Sequence, residues 1–157
     1  MPPVRKARPP STEARGRVEG YRSGLEEKIA AELKAAGYPV DYEAFKIAYE
    51  VPARKARYTP DWVFLHNGII VESKGRFVTA DRTKHRLIRE QYPDVDLRFV
   101  FSNPNTKIGK KSETTYGMWC QRLGILYATR SIPLAWLQEP PEPRRLAALK
   151  KLISSTS

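Results

Sequence analysis

The sequence predicts an α/β fold, a mixed sheet flanked by helices, on three observations. Phe45, Ile47, Tyr49 and Val51 alternate with Lys46, Ala48 and Glu50, the period of a strand with one buried face. Two further strand-like runs, 58–65 and 69–74, meet at Asn67-Gly68, a dipeptide suited to tight hairpins because both residues tolerate positive φ. Segments with helical spacing lie on either side of these runs. In chain order, Ser23-Gly24-Leu25-Glu26 has the S-x-x-E pattern that opens a helix. Leu25, Ile29 and Leu33 follow at four-residue intervals until Gly37 stops it. Pro52 ends the first strand. Residues 53–57 carry Arg54, Lys55 and Arg57 and are expected to form a charged connector with no core residue. After the hairpin a helix is expected over 79–92, with Asp81 in its first turn, Leu87 and Ile88 as apolar anchors and Pro93 beyond. A short strand over 97–101, a polar loop over 102–113, a short helix over 115–123 closed by Gly124, and a last strand over 125–128 complete the domain. The PEP-rich stretch 139–143 breaks regular structure before a tail helix over 144–153. The expected organisation is a flexible basic arm at 1–20, one domain over 21–138, and a Pro-rich, basic tail over 139–157.

Composition narrows the function. A chain of 157 residues supports one hydrophobic core. Its 28 Lys and Arg against 17 Asp and Glu give a net charge of +11, which attracts polyanions, with nucleic acid first among them. The single cysteine, Cys120, cannot form an internal disulfide, and no Cys or His cluster has zinc spacing. No apolar run is long enough for a membrane span, and the amino terminus lacks the apolar core of a secretory signal. A soluble protein of a reducing cytosol is expected, with no membrane and no small-molecule cofactor as partner.

If Asn67-Gly68 is a two-residue turn, His66 faces Ile69, Val63 faces Glu72 and Asp61 faces Lys74. Asp61, Val63, Glu72 and Lys74 then share one face, with Asp61 diagonal to Glu72 at roughly 7–8 Å between Cα atoms. Two carboxylates, with the backbone carbonyl of Ser73, offer hard oxygens of the kind Mg2+ accepts while keeping several waters. Phosphodiester hydrolysis needs a cation that lowers the pKa of a bound water, and positive charge at the crowded phosphorus. Asp61 and Glu72 are therefore candidate metal ligands, and Lys74 a candidate to orient the attacking water or neutralise developing charge. Taken alone, Lys74 opposite Asp61 would be an ordinary ion pair contributing about 0.2–1 kcal/mol. The fuller pattern weighs against that: Pro60-Asp61, ten residues, then Glu72-Ser73-Lys74 is the PD...ExK arrangement of a large nuclease superfamily.

Six ordered blocks sharpen this pattern: Arg22-Ser23-Gly24-Leu25-Glu26, Tyr58-Thr59-Pro60-Asp61, Asn67-Gly68-Ile69, Val71-Glu72-Ser73-Lys74-Gly75, Leu87-Ile88-Arg89-Glu90-Gln91, and Ile132-Pro133 followed by Trp136. In these the chain resembles the bacteriophage endonuclease I family of Holliday-junction resolvases, over about residues 21–139. The resemblance implies a restriction-endonuclease-like PD-(D/E)xK fold, catalysis by Glu26, Asp61, Glu72 and Lys74, and a second metal position completed by Glu26. Spacing alone would make Glu26 the third-position carboxylate of a capping box on Ser23, with Glu27 as its rival for the site. The resemblance also implies a homodimer that exchanges its amino-terminal part across a bridge near residues 48–57, so that Glu26 of one chain meets Asp61, Glu72 and Lys74 of the other. It implies Mg2+, with Mn2+ as a substitute, a two-metal site, four-way junctions and other branched DNA as substrate, and the cytoplasm of a phage-infected bacterial cell.

The candidate DNA contacts are Arg22, then Arg82, Lys84, Arg86 and Arg89 on one expected helix, and Lys107, Lys110 and Lys111 on a loop, all suited to phosphates. For any single one of them a solvated charged face is the commoner fate. His85 reads as a polar surface residue of that helix. Trp62, Trp119 and Trp136 fit a core better than base stacking, and Cys120 fits a small buried hydrophobe. Three functions remain in play: a structure-selective endonuclease, a non-catalytic branched-DNA binding module, and a nuclease of the same chemistry acting on mismatched, nicked or linear duplex. The presence of all four active-site residue types favours catalysis.

Overall fold

A computed structural model describes residues 24–51 and 54–155. The basic arm at 1–20, Arg22, the Ser23 cap and Pro52 lie outside the described residues. Helix α1 (Gly24–Ala36) buries Glu26, Ile29 and Leu33. It stops at Gly37, whose φ of +75 suits a residue without Cβ and whose amide returns to the Leu33 carbonyl. Strand β1 (Val40–Tyr42) is too short to have shown a period in sequence. Strand β2 (Ile47–Val51) keeps the expected alternation, with Ile47 and Tyr49 buried.

The charged connector is instead a strand, β3 (Arg54–Tyr58), paired antiparallel with β2. Its charges do not prevent pairing because Lys55 and Arg57 face outward and Arg54, at the start of the strand, is exposed. Lys55 lies opposite Glu50 and Arg57 opposite Ala48, while Ala56 and Tyr58 turn inward to the core. The run 58–65 is not one strand either. Pro60 and Asp61 separate β3 from β4 (Trp62–Phe64), since proline can give no ladder hydrogen bond.

Strand β4 pairs antiparallel with β5 (Ile70–Lys74) in a register that corrects the expected turn: Trp62 lies opposite Val71 and Val63 opposite Ile70. The connection is the four residues 65–68, closed by the Phe64 amide on the Ile69 carbonyl at 2.8 Å and the Gly68 amide on the Phe64 carbonyl at 2.7 Å. Asn67 is buried there because its side chain is occupied, accepting from the Ile69 amide and donating to the carbonyls of Trp136 and Glu139. The slip is by two positions, so face parity survives and Val63, Glu72 and Lys74 stay on one side.

Helix α2 (Thr79–Gln91), strand β6 (Leu97–Phe101) and helix α3 (Tyr116–Arg122) fall where expected, α3 opened by Thr115 Oγ1 accepting from the Met118 amide. The last strand, β7 (Tyr127–Thr129), starts later than read, because the Ile125 amide still bonds to Cys120 at the end of α3. A one-turn helix α4 (Leu134–Gln138) and α5 (Pro143–Ser155) follow.

The main sheet runs β1-β4-β5-β6-β7, antiparallel through β5 and parallel beyond it. Residues of α1 and α4 pack on one face around Trp62, Phe64, Val71 and Val100. The β2–β3 hairpin, α2 and α5 pack on the other around Val63 and Ile70, continued by Phe77, Phe99 and Phe101 under α3. The segment from 139, set apart by composition, packs onto the domain: Leu149 and Leu152 join the core, and Arg145 is buried against Asp96, Glu139 and the Asn67 carbonyl. Trp62 and Trp136 are core residues, Trp119 packs on Phe77, and burial pushes the Cys120 thiol up to about 12. Among the described residues no helix is long and apolar enough to cross a membrane.

Candidate active site

The site residues gather at the end of β4 and β5 where Lys74 leaves the sheet. Continuing the observed register by one step sets Asp61 opposite Glu72, a closer relation than the expected diagonal. Asp61 lies in a bend just before β4, so its carboxylate does not follow strand alternation. Instead it accepts from the Ser73 amide at 2.9 Å and the Ser73 hydroxyl at 2.8 Å. The Asp61 amide in turn donates to Glu72 Oε1 at 3.2 Å. Ser73, expected to contribute a carbonyl, thus also orients an acidic side chain through two donors.

Helix α1 brings Glu26, and not Glu27, into this region. Carboxylate oxygens of Glu26, Glu43 and Asp61 lie within 4.8 Å of one another. Glu43 was not among the sequence candidates. It is placed by its own amide, which donates to the Asp61 carbonyl at 3.0 Å, and by a left-handed backbone with φ of 47 that no pattern of residue types announces. Tyr42, next to it on β1, donates a short hydrogen bond to Glu26 Oε2. Burial, then the Glu26 carboxylate, push the Tyr42 phenol up, so it remains a donor. Three carboxylates this close repel one another, and hard oxygens so arranged fit a divalent cation.

Glu72 occupies the opposite face of β5. Burial first, then the Asp61 charge, push its carboxyl up to about 8, against the lowering pull of Lys74, Tyr58 and Lys84. Lys74 Nζ stands 3.4 Å from Glu72 Oε2 and 3.4 Å from Asp81 Oδ1. Burial works against the Lys74 charge, but Glu72, Asp81 and Asp61 outweigh it and hold the amine above its ordinary value as an ammonium. Asp81, read only as a first-turn helix residue, accepts from the Val78 amide and so ties Lys74 to the start of α2.

His85 is the clearest correction. It is buried, 2% exposed, with its ring edge-on to Tyr58 and Phe99 and its Nε2 3.9 Å from Glu72 Oε2. Burial, with Lys84 and Lys74 nearby, lowers its pKa well below the ordinary value, so the imidazole is neutral. Basic side chains dominate the rest of α2, but the face carrying His85 and Ile88 is turned to the sheet.

The candidate DNA contacts divide. Arg82 donates to the Phe77 carbonyl and to Thr79, Lys84 sits near Asp81 and over the Tyr58 ring, and Arg89 donates to the Gly124 carbonyl. Arg86, Lys110 and Lys111 are exposed, and Lys107 is exposed near Glu113.

Carboxylates clustered beside a partly buried ammonium at one end of a mixed sheet could hold a metal ion. Comparison with known proteins points to nucleases. Residues 10–155 match the family described as phage endonuclease I. The chain is 44% identical over 135 residues to endonuclease I of Escherichia phage T7, covering 86% of this chain and 90% of that protein. It is 48% identical over 120 residues to endodeoxyribonuclease 1 of Enterobacteria phage T3, covering 76% of this chain and 78% of that one. The chain belongs to the phage endonuclease I family.

Proposed function

We propose that the chain is a structure-selective DNA endonuclease that resolves four-way junctions and other branched DNA by metal-dependent phosphodiester hydrolysis. The observation that carries this is the meeting of Glu26, Glu43 and Asp61 beside the Glu72-Ser73-Lys74 strand end, in a chain of net charge +11 from an endonuclease family.

In this reading Asp61, Glu72 and the Ser73 carbonyl hold one Mg2+, for which Mn2+ substitutes, and Glu26 with Asp61 and Glu43 hold a second. When bound, the cations acidify the attacking water and offset charge at phosphorus. The chain's own groups do the rest. Ser73 holds the Asp61 carboxylate, the Asp61 amide holds Glu72, and the Lys74 ammonium faces the negative charge that develops on the phosphoryl oxygens. Arg22, Arg82, Lys84, Arg86, Arg89, Lys107, Lys110 and Lys111 would hold backbone phosphates, which position the duplex without reading sequence.

Junction selectivity in this reading comes from two sites in a homodimer, whose spacing matches paired strands of a branch point. The β2–β3 hairpin spans the region of the expected bridge, and an exchange of α1 and β1 between chains would straighten it. The expected setting is the cytoplasm of a phage-infected bacterial cell.

The experiment is cleavage of a labelled four-way junction beside a linear duplex of the same sequence, with Mg2+ and then with EDTA. Paired Mg2+-dependent cuts near the branch, with the duplex spared, support the proposal. Tight binding without cutting would favour a binding module, and equal cutting of both substrates would discard junction selectivity.

A further inference from the structure

His85 has no part in the chemistry above, yet its position is unusual for a residue that only fills space. It lies on the sheet-facing side of α2 in an apolar cage of Tyr58, Phe77 and Phe99. Among the described residues neither ring nitrogen has a hydrogen-bond partner. A buried polar atom without a partner is costly, and a phenyl ring or a leucine would fill such a cage without that cost. Its Nε2 faces one group, Glu72 Oε2, at 3.9 Å. A hydrogen bond needs about 2.7–3.2 Å, so about 1 Å of travel by the carboxylate would close it. The same oxygen lies 3.4 Å from Lys74 Nζ, while Glu72 Oε1 accepts from the Asp61 amide.

We infer that His85 is a positioning residue of the active site: its Nε2–H is the donor that, together with Lys74, holds Glu72 Oε2 when Glu72 serves as a ligand. The inference rests on the nuclease reading above. Groups that orient a metal-binding carboxylate typically change metal affinity by about 10- to 100-fold when removed.

Two substitutions separate donation from packing. His85→Phe keeps a ring in the cage and removes the N–H, whereas His85→Gln removes the ring and keeps an N–H at about the same reach. Mn2+ binding to the full chain is measured by calorimetry without DNA, alongside thermal melting in EDTA and single-turnover cleavage of a four-way junction. The expected result is a Mn2+ affinity at least about tenfold weaker in His85→Phe, whether its melting temperature rises or falls, with His85→Gln close to the unaltered protein. Slower cleavage by His85→Phe should be partly recovered at high Mn2+. An unchanged Mn2+ affinity in His85→Phe, or a loss in His85→Gln as large as in His85→Phe, would overturn the inference while leaving the nuclease reading intact. Failure of the unaltered protein to bind Mn2+ or cut the junction would overturn that reading, and this inference with it.

Discussion

The carboxylate of Asp61 takes two hydrogen bonds from a single residue, the amide of Ser73 at 2.9 Å and its hydroxyl at 2.8 Å. The amide bond is available to any residue, but the hydroxyl bond requires Ser or Thr. Ser73→Ala should therefore cost about 1 kcal/mol of stability and lower the cleavage rate by about tenfold or more through a less well held Asp61. Ser73→Thr should retain most activity. Single-turnover cleavage and thermal melting check this, and an alanine variant that cuts at the normal rate would show the hydroxyl to be dispensable.

Removing the carboxylates should separate cutting from binding. Asp61→Ala and Glu72→Ala are expected to abolish cleavage while shifting junction affinity by only a few-fold in a gel-retardation assay. Glu26→Gln should do nearly as much. Glu43→Gln tests the residue that sequence did not reveal. It should reduce cleavage and, by relieving repulsion with Glu26 and Asp61, raise the melting temperature in EDTA. Normal cutting by Glu43→Gln would leave it a neighbour of the site only.

Much of this architecture was legible because it follows from local rules. The alternation of Ile47 and Tyr49 with Ala48 and Glu50, the helical spacing of Ile29 and Leu33, and Thr115 ahead of α3 each act over a few residues. Glu72 and Lys74 stay on one face because strand parity survives a register slip of two, while Asp61, in the bend before β4, is aimed by its bonds to Ser73. What was not legible depends on distant partners. The hairpin at Asn67 lengthens because its side chain is drawn to Trp136 and Glu139, about seventy residues away in sequence. The charged segment of β3 becomes a strand only once β2 lies beside it, and His85 looks like a surface residue until Tyr58 and Phe99 close over it. Glu43 reaches the cluster through one amide bond and a left-handed φ.

The raised Glu72 carboxyl gives a pH dependence of definite sign. Its folded value near 8 lies above the ordinary 4.5 because burial, then Asp61, disfavour the charge. Between these values the folded chain keeps a proton that the unfolded chain has lost. The resulting stabilisation is thus complete below the unfolded value and disappears as pH rises through the folded one. In EDTA the protein should melt at progressively lower temperature from about pH 5 to pH 9 through this group, and Glu72→Gln should flatten that slope. Mg2+ must displace the same proton, so its affinity should increase as pH rises toward 8. An identical slope in the Gln variant would reassign the proton.

Binding to branched DNA should weaken steeply with salt, because each phosphate neutralised by Lys or Arg releases counterions, contributing about 0.9 to the logarithmic slope. Arg86→Ala, Lys110→Ala and Lys111→Ala, at exposed side chains, should each reduce that slope by up to about 1 without altering the cutting of bound substrate. A flat salt dependence would contradict phosphate contact altogether.

At the other end of the sheet, Arg145 ties α5 to the domain. Its guanidinium donates to the Asn67 carbonyl at 2.8 Å and the Pro140 carbonyl at 3.0 Å, and stands 3.1 Å from Asp96 and 3.4 Å from Glu139. The two acids are partly exposed, and Asp96 keeps Arg98, so the full penalty of a stranded buried charge does not apply. The two carbonyls would nonetheless lose charged donors. Arg145→Ala should cost about 2 kcal/mol, a fall in melting temperature of roughly 5–8 °C. Gly68→Ala should act on the same contact, since Gly68 has φ of +88 and an added Cβ would meet Arg145 Cγ at 3.1 Å and the Leu146 amide at 3.3 Å. Because Asn67 and Gly68 precede β5 and Glu72 and Lys74 lie toward its other end, both variants should cut junctions at the normal rate well below their melting temperatures. A loss of rate at low temperature, with stability unchanged, would mean that α5 communicates with the site instead of only anchoring the fold.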